Sequence, residues 1–214
     1  MSSPHWRKYP RTPHHPDSPG VASDDKVATD LSAFAGAEVV ATEKMDGENT
    51  TLYRDGFHAR SLDSGAHPSR SRLAALHAAV AADIPEGWRV CGENVFARHA
   101  IAYGSLPGHF LGFSVWTADD LCLSWDETVE WLTLLGIPTV PVLYRGPWAP
   151  ALVRDLASVI DTDRQEGFVL RTAGAFPMRD FPRHVVKWVR AGHVQTDTHW
   201  RDAPLVPNGV AEAP

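Results

Sequence analysis

Two Asp-Gly pairs, Asp46-Gly47 and Asp55-Gly56, cut the stretch from Glu38 to Leu62 into short strand-like pieces. Asp-Gly suits the tight turns that join neighbouring strands, so apolar runs separated by such pairs favour hairpins. Val39-Val40-Ala41-Thr42 is the first run, and it leads directly into Glu43-Lys44-Met45-Asp46-Gly47-Glu48-Asn49. Thr50, Leu52 and Phe57 lie around the second turn, and this hairpin ends at Ala59-Arg60-Ser61. Lys44 therefore falls at the rim of a strand, within reach of a ligand. A lysine becomes a nucleophile where desolvation or nearby positive charge disfavours its ammonium form, and the glycine after it lets the backbone approach a nucleotide closely.

The remaining chain continues the mixed pattern. Leu73, Leu76, His77 and Val80 recur at helical spacing within 68–82, with Pro68 suited to the first turn. A strand over 88–91 ends at Gly92-Glu93-Asn94, and Phe110 to Trp116 is another. Ser124 or Asp126 can cap a helix carrying Val129, Trp131, Leu132 and Leu135, closed by Gly136. A strand over 140–143, a helix over 149–160 and two late strands, 167–170 and 184–189, complete the elements. Strands outnumber helices and hairpins are common, which predicts an α+β domain with largely antiparallel sheets flanked by helices. The expected organisation is an extended arm over 1–30, a catalytic domain over 31–200 and a flexible tail over 201–214.

Composition narrows the function classes. A hydrophobic content of 43% with 21% charged residues describes a soluble globular chain, and no apolar run reaches membrane-spanning length. Residues 1–8 lack the apolar core of a secretory signal. Cys91 and Cys122 form neither a disulfide framework nor a metal-ligand pattern, so a reducing, cytoplasmic setting fits. A net charge of -6 argues against nucleic-acid binding by bulk charge but leaves room for a local basic groove.

Lys44-x-Asp46-Gly47 resembles the signature of covalent nucleotidyltransferases. The other pieces of that superfamily follow in order. Arg60 closes the hairpin, then come Gly92-Glu93-Asn94, Phe110-Leu111-Gly112-Phe113, Glu166-Gly167-Phe168-Val169-Leu170-Arg171 and Val185-Val186-Lys187-Trp188. They look like motifs I, Ia, III, IIIa, IV and V, across Val39 to Arg190. The short spacing, the Gly-Glu-Asn form and the Lys8-Tyr9 arm resemble the RNA ligase 2-like branch of the RNA ligase family. His193 to Trp200 resembles an ending particular to that group. In motif V, which often carries two lysines one residue apart, Lys187 is followed by Val189 and then Arg190. Better-known relatives carry an additional carboxy-terminal domain, whereas about 25 residues follow motif V here. Whether this chain senses nicks and performs the later sealing steps alone stays open.

The resemblance implies a nucleotidyltransferase domain of the ATP-grasp-like ligase adenylation type, using ATP with Mg2+ or Mn2+. Lys44 would attack the α-phosphorus of ATP and carry AMP, which passes to an RNA 5′-phosphate before a 3′-hydroxyl displaces it. Lys187 would touch the α-phosphate and help keep Lys44 unprotonated. Arg60 would hold a phosphate or ribose, Glu93 the ribose hydroxyls, and Phe113 the adenine face, with Glu43 counted among the nucleotide contacts. Glu166 would help hold the metal, while Lys8, Arg11 and Arg171 would contact RNA. An end-healing kinase or phosphatase is a plausible partner. Plainer roles stand beside these: Phe113 as core, Glu93 as a turn residue, Glu166 as a strand-entry charge, and Arg60 and Arg171 as exposed strand ends. A capping-type guanylyltransferase, a DNA ligase or a non-catalytic nucleotide- or RNA-binding module would also carry most of this pattern.

Overall fold

The computed structural model describes residues 6–192 and 204–211, so the expected ending at 193–200 lies outside the described residues. Two antiparallel sheets form the body. In the four-stranded sheet, β1 (Glu38–Glu43) lies between β7 (Val142–Pro147) and β8 (Gly167–Thr172), and β10 (Val185–Val189) forms the far edge beside β8. The six-stranded sheet runs in the order β3 (Gly56–Ala59), β2 (Glu48–Tyr53), β4 (Arg89–Asn94), β5 (Phe110–Trp116), β6 (Leu121–Cys122), β9 (Phe176–Pro177).

Side-chain alternation explains how the sheets share a core. In β1, Val39 and Ala41 join Phe168, Leu170 and helix α3 (Leu152–Val159) on one face. Val40 points the other way, with Met45, Leu111 and Trp125, into the space between the sheets. The outer face of the six-stranded sheet is covered by α1 (Ser71–Val80) and α2 (Trp125–Leu134), through Leu73, Val80 and Leu132. Ser124 caps α2 in a reciprocal capping box with Glu127, while Asp126, the other candidate cap, pairs with Arg145. The strand expected from residue 140 begins at Val142, because Val140 bonds instead to Gly112.

Both ends of the described chain pack on this body. Pro13 to His15 run beside β10, with the His15 N–H on the Lys187 carbonyl at 2.7 Å and the Lys187 N–H on the Pro13 carbonyl at 2.9 Å. Within the stretch expected to be a flexible tail, residues 204–211 dock along the loop between β4 and β5. Asn208 there is 6% exposed and hydrogen-bonded through both its side-chain oxygen and its nitrogen, which replaces the tail expectation over these residues. Among the described residues no helix is long and apolar enough to cross a membrane.

Candidate active site

The chain leaves the four-stranded sheet at Glu43 and enters the six-stranded sheet at Glu48. Lys44 therefore sits where the backbone crosses between the sheets, at a cavity of about 370 Å³ lined from both sides. Its backbone N–H is fixed on the Gly167 carbonyl at 2.9 Å, which brings the start of β8 against the turn. Gly167 has φ +152°, and a Cβ there would strike the Trp188 carbonyl. Only glycine lets β8 and β10 approach this closely. Glu166, held just before it, meets Lys44 Nζ at 2.5 Å.

Glu93 comes from β4, opposite Asn49 of β2, and lines the same cavity. A Cβ at Gly47 would lie 2.6 Å from the Asn94 carbonyl, so the missing side chain permits the close contact of this turn with β4. Phe113 reaches the cavity through a bulge. Cys91 pairs with Ser114 and Gly92 with Gly112, which leaves Phe113 without a partner on β4. A bulge of this kind re-aims a side chain. The Phe113 ring is met edge-on by Tyr9 of the arm at 5.3 Å.

The electrostatics differ from expectation at Lys44. Burial works to lower the Lys44 pKa, but the carboxyls of Glu166, Glu93 and Asp46 outweigh it and raise the pKa above that of an ordinary lysine. Lys187 shows the reverse. Burial pulls it down, Asp25 at 3.5 Å opposes this, and the charge of Lys44 pulls it further down. Lys187 and Lys44 repel each other as expected, but the carboxylates beside Lys44, led by Glu166 in direct contact with the amine, outweigh that repulsion. Burial also pushes the Glu93 carboxyl up to about 8, with Lys44 partly opposing. Burial raises Glu43, whose carboxylate accepts a hydrogen bond from Gln165 Nε2 at 3.1 Å.

Lys44, Glu93, Phe113, Lys187 and Arg60 all line the cavity, and Glu166 reaches it through Lys44. Three expected RNA contacts fare differently. Arg11 lines the cavity rim, bound to the Asp24 carbonyl at 3.2 Å. Lys8 is exposed and does not line the cavity. Arg171 is neither an exposed strand end nor free to bind RNA. It is 5% exposed, bonds the carbonyls of Leu123 and Thr172, and lies over the Trp125 and Phe176 rings. Its β8 position faces the inter-sheet core, so its guanidinium ties the floor of the cavity together. Sequence reasoning missed Asp25, which reads locally as part of a solvated charge run. It also missed Tyr103, whose hydroxyl accepts the Asp46 N–H at 2.9 Å.

Among the described residues no group of three or more His, Cys, Asp or Glu side chains could hold a metal by itself. Carboxylates beside this cavity still suit a hard cation that keeps waters and shares ligands with nucleotide phosphates. Glu166 fits that mode.

A lysine at the crossing of two antiparallel sheets, facing carboxylates and a second lysine, is the layout of a ligase nucleotidyltransferase domain. The solved structures agree on the fold. An archaeal ATP-dependent RNA ligase superposes with a TM-score of 0.61 at 16% identity, over 86% of this chain and 48% of that one. A putative ATP-dependent DNA ligase from Aquifex aeolicus gives 0.55 at 19%, over 75% and 46%. A Naegleria gruberi RNA ligase mutant, solved with ATP and Mn, gives 0.54 at 15%, over 84% and 61%. The chain thus spans about half to three fifths of the length of these proteins. Comparison with curated protein sequences found no match. The RNA ligase family model matches residues 37–189, and the chain belongs to the RNA ligase family.

Proposed function

We propose that this chain is the nucleotidyltransferase part of an ATP-dependent RNA ligase that works through a lysyl-AMP intermediate on Lys44. The observation that carries the reading is the meeting of Lys44, Glu93, Glu166 and Lys187 around one inter-sheet cavity. Lys44 Nζ, once deprotonated, forms a P–N bond to the α-phosphorus of ATP while the bond to pyrophosphate breaks. An RNA 5′-phosphate oxygen then takes the AMP and frees the lysine, and a 3′-hydroxyl oxygen finally displaces AMP to seal the strands. Lys187 is placed to meet negative charge developing on the α-phosphate oxygens. The Glu93 carboxyl can accept hydrogen bonds from the ribose hydroxyls. Phe113 offers its ring to the base, and Arg60 and Arg11 supply positive charge at the phosphate end. Glu166 would help hold Mg2+ or Mn2+, which neutralises phosphate charge when bound.

The test is incubation with ATP labelled at the α- or the γ-phosphate, followed by denaturing electrophoresis. Label retained from the α-phosphate alone, in an acid-labile and base-stable bond, supports the reading. Label from GTP in place of ATP would favour a capping-type enzyme. Sealing of an all-DNA nick would favour the DNA ligase reading, and no label from any nucleotide a binding module.

The raised pKa of Lys44 adds a pH signature. A higher pKa leaves less free amine at a given pH, so the labelling rate at saturating ATP should climb with pH, roughly tenfold per unit from pH 6 to 9. Glu166→Gln removes the contacting carboxylate. It should slow labelling about 100-fold through lost charge handling and shift the rise to lower pH. A flat profile in the wild type would contradict the ammonium assignment.

A further inference from the structure

The nucleophile's turn is gripped by a loop that has no regular structure of its own. The Asp46 N–H donates to the Tyr103 hydroxyl at 2.9 Å, and Asp46 Oδ2 accepts the Ile101 N–H at 2.7 Å. Both contacts come from the stretch between β4 and β5, and both act on Asp46, two residues downstream of Lys44. This stretch is held in place by segment 204–211. Asn208 Oδ1 accepts the Tyr103 N–H at 3.0 Å, and Asn208 Nδ2 donates to the Val95 carbonyl at 2.8 Å. The Gly209 N–H donates to the Tyr103 carbonyl at 2.9 Å, and the Leu106 N–H donates to the Gly209 carbonyl at 3.0 Å. Both backbone groups of Tyr103 are therefore taken by segment 204–211, and its hydroxyl reaches the backbone of the nucleophile's turn.

We infer that Asn208 is a positioning residue for Lys44, acting through Tyr103 and Asp46. The inference rests on Lys44 being the nucleophile. Its physical content is that a buried side-chain amide fixed on both the Tyr103 N–H and the Val95 carbonyl allows one placement of Tyr103, and hence one placement of the Asp46 N–H. Nothing in 204–211 lines the cavity, so the segment acts on geometry and not on nucleotide contact. Small misplacements of a reacting group are costly in rate, because the attacking atom must stay in line with the leaving group.

The test uses the full chain, three single variants and one double variant, read by amide hydrogen exchange and by lysine labelling. Asn208→Ala removes the clamp. Gly209→Ala places a Cβ against the Gly104 carbonyl and pushes the segment off the loop, a second route should Asn208→Ala fold poorly. Tyr103→Phe removes the hydroxyl alone. In Asn208→Ala and Gly209→Ala, the Asp46 and Ile101 amides should exchange about tenfold faster, with those of α1 unchanged. The labelling rate at saturating ATP should fall about tenfold or more, with the half-saturating ATP concentration unchanged. Adding Tyr103→Phe to Asn208→Ala should cost less than the sum of the two, as expected of residues on one path. Wild-type exchange at Asp46 in both segment variants, or equal acceleration throughout α1, would overturn the inference. The exchange readout decides the coupling even if the wild type takes no label, an outcome that would count against Lys44 as nucleophile instead.

Discussion

Lys44→Ala should take no label from α-labelled ATP, at least 10,000-fold below wild type, as expected when a covalent nucleophile is removed. The protein should remain folded. The Lys44 side chain is 25% exposed and packs mainly through its amine, against Glu166. Losing one charge-assisted contact costs about 1–3 kcal/mol. For a chain of this size the fall in Tm is then below about 12 °C. Lys44→Arg gives the cleaner comparison. It keeps a cation beside Glu166 and should melt close to wild type, yet a guanidinium is not a nucleophile at neutral pH, so labelling should be lost just as completely. Retained labelling in either variant, with the label mapped to another lysine, would remove Lys44 from the chemistry. Unfolding of both would make it a structural residue.

What was legible in the sequence was local. Alternation along Val39-Val40-Ala41-Thr42 and the Asp-Gly turns placed Lys44 at a strand rim, and the structure shows that rim to be the crossing between two sheets. Glu93, Glu166 and Lys187 each follow, precede or lie in a short apolar run, and the sheets bring Glu93 and Lys187 to one cavity with Lys44, and Glu166 against the Lys44 amine. Phe113 could be read only as core or ring stacker, because the bulge that turns it toward the cavity depends on how β4 and β5 register. Arg171 was misplaced for a related reason. Period-two alternation gives the face of a strand, but not whether that face meets solvent or a second sheet. The contacts of Asp25 with Lys187, and of Asn208 with Tyr103, join segments more than a hundred residues apart through irregular backbone. No local periodicity records such pairings.

The largest effect on stability should come from Arg70→Ala. Arg70 donates to both carboxylate oxygens of Glu48, Nε and one terminal nitrogen each at 2.6 Å, and it also bonds the Gly65 carbonyl. Both side chains of the pair are 7% exposed. Glu48 opens β2 directly after the Lys44 turn and pairs with Asn94 of β4, so the pair anchors that turn to the stretch before α1. A bidentate pair of this geometry exists because neither charge can reach water. Removing the arginine leaves a buried carboxylate without its cation, at a cost of about 3–5 kcal/mol. Thermal unfolding should show a Tm lower by roughly 6–20 °C for a domain of this length. Glu48→Leu combined with Arg70→Met should recover most of the loss, since apolar side chains of similar volume leave neither group to desolvate. A fall under about 1 kcal/mol in Arg70→Ala, measured by urea unfolding, would mean that water reaches Glu48. Failure of the double variant to regain stability would instead show that the Gly65 contact, and not the charge pair, holds this corner of the fold.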